Sequence, residues 1–209
     1  MYARDVSVHV FASVLLIAAS ATHVAAANSR SISADPAHFI KNLAEQAIQV
    51  LSTPNGSLQQ REDKFRDLLR DDFAMDKIGR FVVGGYWRKM NETQQSKYRK
   101  LFSQWVLKTY SVRLGGYSGE SFRVIRTTEA GRRDVIVHTR IEREGGDGFN
   151  ANWRVRRVGE RLKIIDIYVE GISMAVTQRS EFESILRKHG IDGLLSRLQD
   201  RLAQLSEAS

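Results

Sequence analysis

Two carboxylates, Asp166 and Glu170, stand four residues apart at the end of an apolar run, "RLKIIDIYVE". On a β-strand that spacing places both on one side, and paired carboxylates can divide general acid and general base work between them. Glu170 also opens an unusual stretch, "VEGISMAVTQRSEF" (169–182). Glu170-Gly171 interrupts the apolar run, small residues and Met174 follow, and Thr177, Gln178, Arg179, Ser180 and Glu181 make a polar cluster. One reading is an enzyme on a cone-like α+β fold that uses Asp166 and Glu170, an analogy at the level of fold. The competing reading is mechanical. No nucleophile or histidine stands near the two acids in sequence, and acid–base chemistry needs partners of that kind. The stretch then reads as a hinge. Val169, Ile172 and Met174 face an apolar interior, Gly171 lets the chain turn, and Glu170, Arg179 and Glu181 hold the turn by polar contacts.

Other chemistries find less support. His9, His23, His38, His138 and His189 are scattered, with no H-E-x-x-H and no close pair, so no metal site is expected. His138 falls on the charged side of a strand, where a solvated imidazole is the ordinary outcome. There is no G-x-S-x-G and no S-x-x-K, the two nucleophile motifs that a serine enzyme would show. Gly84-Gly85 and Gly115-Gly116 follow helical patterns and so read as helix stops rather than phosphate loops. Cysteine is absent, which removes disulfides and thiolate ligands. No cofactor is expected.

The chain begins with one arginine in Met1–Asp5, an apolar segment Val6–Ala19, and "ATHVAAANS" with Ala25 and Ala27. This is the pattern of a secretory signal peptide cleaved before Asn28. The expectation is therefore a signal peptide over 1–27 and one domain over 28–209, exported, soluble and without a lipid anchor. The formal charge is +8. An exported basic protein meets anionic headgroups, polysaccharides or acidic proteins rather than nucleic acid. Ten arginines lie between Arg123 and Arg161, and their expected place is a solvated sheet face.

The elements that must position these residues come in three blocks. Residues 36–114 carry helical periodicity. Phe39, Ile40, Leu43, Ala47, Ile48 and Leu51 mark a first helix that stops at "STPNGS". Phe65, Leu68 and Leu69 mark a second over 58–70, and Met75, Ile78, Phe81 and Val82 a third that ends at Gly84-Gly85. Asn91 and Gln94 stand at capping-box spacing before a long helix bearing Tyr98, Leu101, Phe102, Trp105, Val106, Thr109 and Tyr110. Over 121–170 the period changes to two. "SFRVIRT", "DVIVHTRIE", "FNANWRVRR" and "RLKIIDIYVE" are separated by short glycine-bearing turns, which predicts a four-stranded antiparallel meander with one apolar face. Helical patterns return over 174–188 and 191–205. Helices on both sequence sides of one sheet give an α+β fold. If the helices stand off the sheet's apolar face, they enclose an apolar pocket.

Aromatics gather around the long helix and the sheet. The segment "GGYWRKMNETQQSKYRKLFSQWVLKTYSVRLGGYSGESFRV" (84–124) resembles the MlaC, or toluene-tolerance, family of periplasmic phospholipid-binding proteins. The likeness runs through Gly85-x-Trp87, Thr93 to Gln95, Tyr110, and Tyr117 to Glu120. "WRVRR" followed by "DIYVEGIS", "TQRSEF" and "GIDGL" continues it in the same order. The resemblance covers about residues 36–205, while "EREGGDG" and 28–35 depart from the family pattern. It implies a non-enzymatic periplasmic carrier of a glycerophospholipid. Such a carrier moves between an outer-membrane lipoprotein complex and an inner-membrane ABC-transporter complex with an MCE-domain protein, and maintains outer-membrane lipid asymmetry. A different lipid, such as a hopanoid, is the alternative cargo. The apolar faces of the matched segments nominate Phe81, Tyr86, Trp105, Tyr110, Val137, Trp153, Val155, Ile167, Val169 and Met174 as pocket lining.

Overall fold

The computed structural model describes residues 35–51, 58–114, 119–143 and 146–207. The expected signal peptide, the "STPNGS" turn and Tyr117 lie outside these residues. Helix α1 (Pro36–Leu51) begins with Pro36 in its first turn and Asp35 before it. The Ala37 amide donates to Asp35 Oδ1 at 3.0 Å, which satisfies one of the free amides at a helix start. α2 (Leu58–Asp72) and α3 (Met75–Val83) follow, and α3 gives way to a 3-10 turn at Gly84–Lys89. Gly84 has φ 54°, a left-handed conformation that stops the helix and favours glycine. α4 (Glu92–Leu114) opens on the expected capping box. The Gln94 amide donates to Asn91 Oδ1 at 2.8 Å, and the Asn91 amide donates to Gln94 Oε1 at 3.2 Å.

The sheet is an antiparallel meander in chain order: β1 (Ser121–Ala130), β2 (Asp134–Arg143), β3 (Gly146–Val158), β4 (Arg161–Val169) and β5 (Ile172–Ser173). It has five strands, not the four expected. After Glu170-Gly171 the chain doubles back for two residues, pairing Ile172 with Val169 and Ser173 with Tyr168. Two residues are too few to show a period, so this strand left no pattern in the sequence. The register slips in β4 between Arg154↔Asp166 and Val155↔Ile164. This bulge lets Leu162, Ile164 and Ile167 all pack on the helix-covered side, which strict alternation would forbid. α5 (Met174–Glu207) bends at Gly190, with φ 66° and ψ −169°. The two helical patterns of the sequence therefore meet there as two segments across one kink.

The apolar side chains form three clusters. α3, α4 and α5 share Val82, Tyr98, Phe102, Trp105, Phe182 and Leu194, among others. α1 and the sheet share Ile40, Leu43, Val137, Val155, Leu162 and Ile164. Phe65, Leu69 and Leu107 join α2 to α4. Tyr98 anchors the first cluster by donating its hydroxyl to the Gly79 carbonyl at 2.9 Å, and burial raises its pKa well above the usual phenol range. Among the described residues, no helix is long and apolar enough to cross a membrane.

Candidate functional site

The three clusters do not merge. Between them lies a cavity of about 290 Å³, lined by members of all three. Ile40 and Leu43 come from the sheet cluster, Phe65 and Leu69 from α2, and Val82, Phe102 and Trp105 from the helical cluster. Phe122, Ile141, Phe149, Trp153 and Ile167 supply the sheet wall. The lining is almost wholly apolar, with Glu120, Ser121, Asp166 and Gln178 as its polar members. α1 contributes Ala44 and Ala47, and small side chains on an otherwise bulky stripe leave room where leucine would fill it.

The wall is held by polar contacts that turn away from it. Trp153 Nε1 donates to Thr139 Oγ1 at 3.1 Å, and Thr139 in turn donates to the Ala151 carbonyl. The indole's one polar atom is thereby satisfied and its ring is left to line the cavity against Phe122, 6.3 Å between centroids. Trp105 is wedged between Phe102 and Phe182 at 6.2 and 5.7 Å.

Asp166 and Glu170 are separated. Asp166 lines the cavity and is buried. Its Oδ1 accepts from the Ile167 and Ala175 amides at 2.8 and 3.0 Å, and its Oδ2 from Ser173 Oγ at 2.6 Å. Ser173 Oγ also accepts from the Val176 amide at 3.0 Å. The pair caps the start of α5 and ties it to β4. Glu170 lies past the end of β4, in the turn, with φ 48°, the one positive φ outside glycine among the described residues. Its carboxylate accepts from the Asn150 amide, and its own amide donates to the Asn150 carbonyl at 3.0 Å. It borders a polar recess with Arg126, His138, Asn150 and Asn152 rather than the apolar cavity. Thr128 Oγ1 lies 2.8 Å from His138 Nε2. Burial, and then the Arg126 charge, hold His138 below the usual imidazole range. Among the described residues no group of three or more acids or histidines could hold a metal.

Of the ten nominated residues, Trp105, Trp153, Ile167 and Met174 line the cavity. Val137 and Val155 are completely buried behind it, in the α1–sheet cluster. Val169 is half-buried at the end of β4, paired with Ala151 on one side and Ile172 on the other. Tyr86 packs on the helical cluster with Lys89 over its ring at 4.9 Å. Phe81 is 42% exposed, under Arg179. The side chain of Tyr110 lies outside the described set. Ile172, expected inside, is 60% exposed, because β5 is a two-residue edge strand with no neighbour beyond it. The α1 and α2 lining was not nominated at all. Its signal was present in the small residues Ala44 and Ala47 on the apolar stripe of α1.

The profile of the family described as "MlaC protein" matches residues 41–200. The chain is 22% identical over 177 residues to the intermembrane phospholipid transport system binding protein MlaC of Haemophilus influenzae, covering 81% of this chain and 83% of that protein. Its fold matches a phospholipid-binding protein of Ralstonia solanacearum, solved in complex with a phospholipid. The TM-score is 0.74 at 21% identity, over 83% of this chain and 99% of the other.

Proposed function

Because this chain belongs to the MlaC family, we propose that it is a phospholipid carrier whose acyl chains occupy the cavity between the sheet and the helices. The observation that carries the reading is an apolar cavity left at the junction of three hydrophobic clusters. The names of the Haemophilus relative and the Ralstonia neighbour support phospholipid as the cargo. Trp105, Trp153, Ile167 and Met174 would contact the chains, together with Ile40, Leu43 and Phe102 from the opposite wall. The capping role of Asp166 and the turn-holding role of Glu170 favour transport over catalysis.

The work is solvation. Each methylene of an acyl chain represents about 0.8 kcal/mol against water. A carrier must offer a pocket nearly as dry as a bilayer, and must not hold the lipid much more tightly, or delivery fails. Such a balance fits handoff at docked complexes. The partners proposed are an outer-membrane lipoprotein complex and an inner-membrane ABC-transporter complex with an MCE-domain protein. The compartment proposed is the periplasm, reached by export on a signal peptide over residues 1–27 that is then removed, and the purpose is outer-membrane lipid asymmetry. The test is transfer of a fluorescent phospholipid between donor and acceptor vesicles. Catalytic amounts of the protein should speed transfer. No acceleration by a protein purified with lipid bound would overturn the carrier role.

A further inference from the structure

Among the described residues, four large apolar side chains are exposed: Phe81, Ile125, Ile172 and Val176. Three of them lie on α3 and at the entry to α5, elements that pack on each other. Phe81 lies on α3 beneath the Arg179 guanidinium, 5.1 Å from the ring centroid. Val176 stands one turn before Arg179 on α5, so the two are neighbours on that helix. Ile172 leads into the same turn, where Ser173 caps the Val176 amide. None of the three lines the cavity, yet each sits beside residues that do: Ile78 and Val82 on α3, and Met174 and Ala175 on α5. Scattered exposed apolar residues are ordinary, but a cluster of them marks an interaction surface.

The surroundings of this corner are basic and aromatic. Met75–Lys89 holds Lys77, Arg80, Arg88 and Lys89 against one acid, Asp76, a net +3 (four minus one). Asp76 is engaged by Arg80 and Arg99 at 3.1 and 3.6 Å. Of the acids near the start of α5, Glu181 accepts from Gln178 at 3.1 Å, Glu183 from Arg187 at 3.0 Å, and Glu170 from the Asn150 amide. Trp87 lies between Arg80 and Arg99, 4.9 and 5.0 Å from its ring, and Lys89 covers Tyr86. Exposed apolar tips, amphipathic rings and lysine or arginine at one level are the chemistry of a membrane–water interface.

We infer that the corner formed by α3, the Gly84–Lys89 turn and the start of α5 docks on anionic bilayers. Phe81, Ile172 and Val176 enter the headgroup layer, and Lys77, Arg88, Lys89 and Arg179 face lipid phosphates. The inference rests on the carrier reading for its purpose, since the walls beside the patch are the walls of the cavity. Charge complementarity selects the occupant: a net-positive ring around apolar tips fits a phosphate-bearing surface.

The experiment is flotation of the lipid-loaded protein with vesicles of phosphatidylglycerol mixed with phosphatidylcholine, against phosphatidylcholine alone, at low and high salt. The protein should float with the anionic vesicles, less so at high salt, and weakly with the neutral ones. The triple variant Phe81→Ser/Ile172→Ser/Val176→Ser should lose about tenfold or more in vesicle binding. Arg88→Glu/Lys89→Glu should lose about fivefold for each cation removed. Unchanged melting temperatures would show that both variants are folded. Equal binding by the triple variant, or no flotation of the parent protein, overturns the inference. So does a patch that captures a protein partner while ignoring vesicles. Native mass spectrometry of the same samples keeps the two readings apart. Bound lipid without flotation overturns docking alone, and a protein that floats yet never retains lipid, even after incubation with the vesicles, overturns the carrier reading alone.

Discussion

Along β2 and β3 the same backbone carries two surfaces. Val137, Thr139, Trp153 and Val155 face the helices, while His138, Arg140, Asn152 and Arg154 alternate with them on the other side. Part of the outer side is satisfied from within the protein. Asp134 is buried and accepts from Arg154 Nε at 2.7 Å and from Arg156 Nη2 at 2.8 Å. The hydrogen bond from Arg156, and then that from Arg154, holds its carboxyl below the usual range against the cost of burial. The helix-covered side is not satisfied. Its polar atoms are paired, Thr139 with Trp153 and Ala151, but its apolar surface meets a cavity instead of a packed core. A face that completes itself describes structure. A face whose apolar groups want a partner describes function.

Four substitutions break or sharpen this contrast. Trp153→Glu places a carboxylate in the cavity wall, where an unpaired charge has no compensation. Lipid transfer should fall at least about a hundredfold, roughly 3 kcal/mol, and a variant that still transfers would remove the cavity from the account. Asp134→Ala should act on the other face only. It leaves two arginines without their acid, at about 2–3 kcal/mol, the low end for a buried pair because the guanidinium side chains are 35% and 27% exposed and partly screened. Urea unfolding should show the loss, with lipid content unchanged.

That same carboxyl gives a pH signature. Its pKa is depressed in the folded protein, so its contribution is fully present above the unfolded value, about 3.9. The contribution is lost as pH falls through the folded value. The acid limb of the stability curve should therefore flatten in Asp134→Ala. Asp166→Asn comes next. It weakens the cap of α5 and should cost about 1–2 kcal/mol while lipid stays bound. Glu170→Gln is the mildest, below about 1 kcal/mol, with transfer retained. A folded Glu170→Gln protein that transferred no lipid would restore the acid–base reading.

Much of this was legible because local rules and tertiary context agreed. The Asn91–Gln94 capping box, the Gly84 stop and the alternation of β2 and β3 all follow from neighbours in sequence. Val137 and Val155 were misplaced for one reason: burial says which face a residue is on, not how far it stands from a void. Val137 and Val155 share a face with Trp153, yet they are packed under α1 while Trp153 meets the gap. The β4 bulge shifts alternation by one residue, which put Ile167 beside Asp166 on the cavity and which periodicity does not announce. The carboxylate pair misled for a related reason. Four-residue spacing predicts a shared side only while the strand lasts, and β4 ends at Val169, one residue before Glu170.

The central claim is that the cavity holds a phospholipid, and native mass spectrometry of the full chain expressed in a bacterial cell with an outer membrane tests it most directly. The account predicts a species heavier than the polypeptide alone by the mass of a phospholipid, lost on organic extraction and lost in Trp153→Glu. A folded protein that is always found at the bare polypeptide mass, and stays so after incubation with phospholipid vesicles, would contradict it.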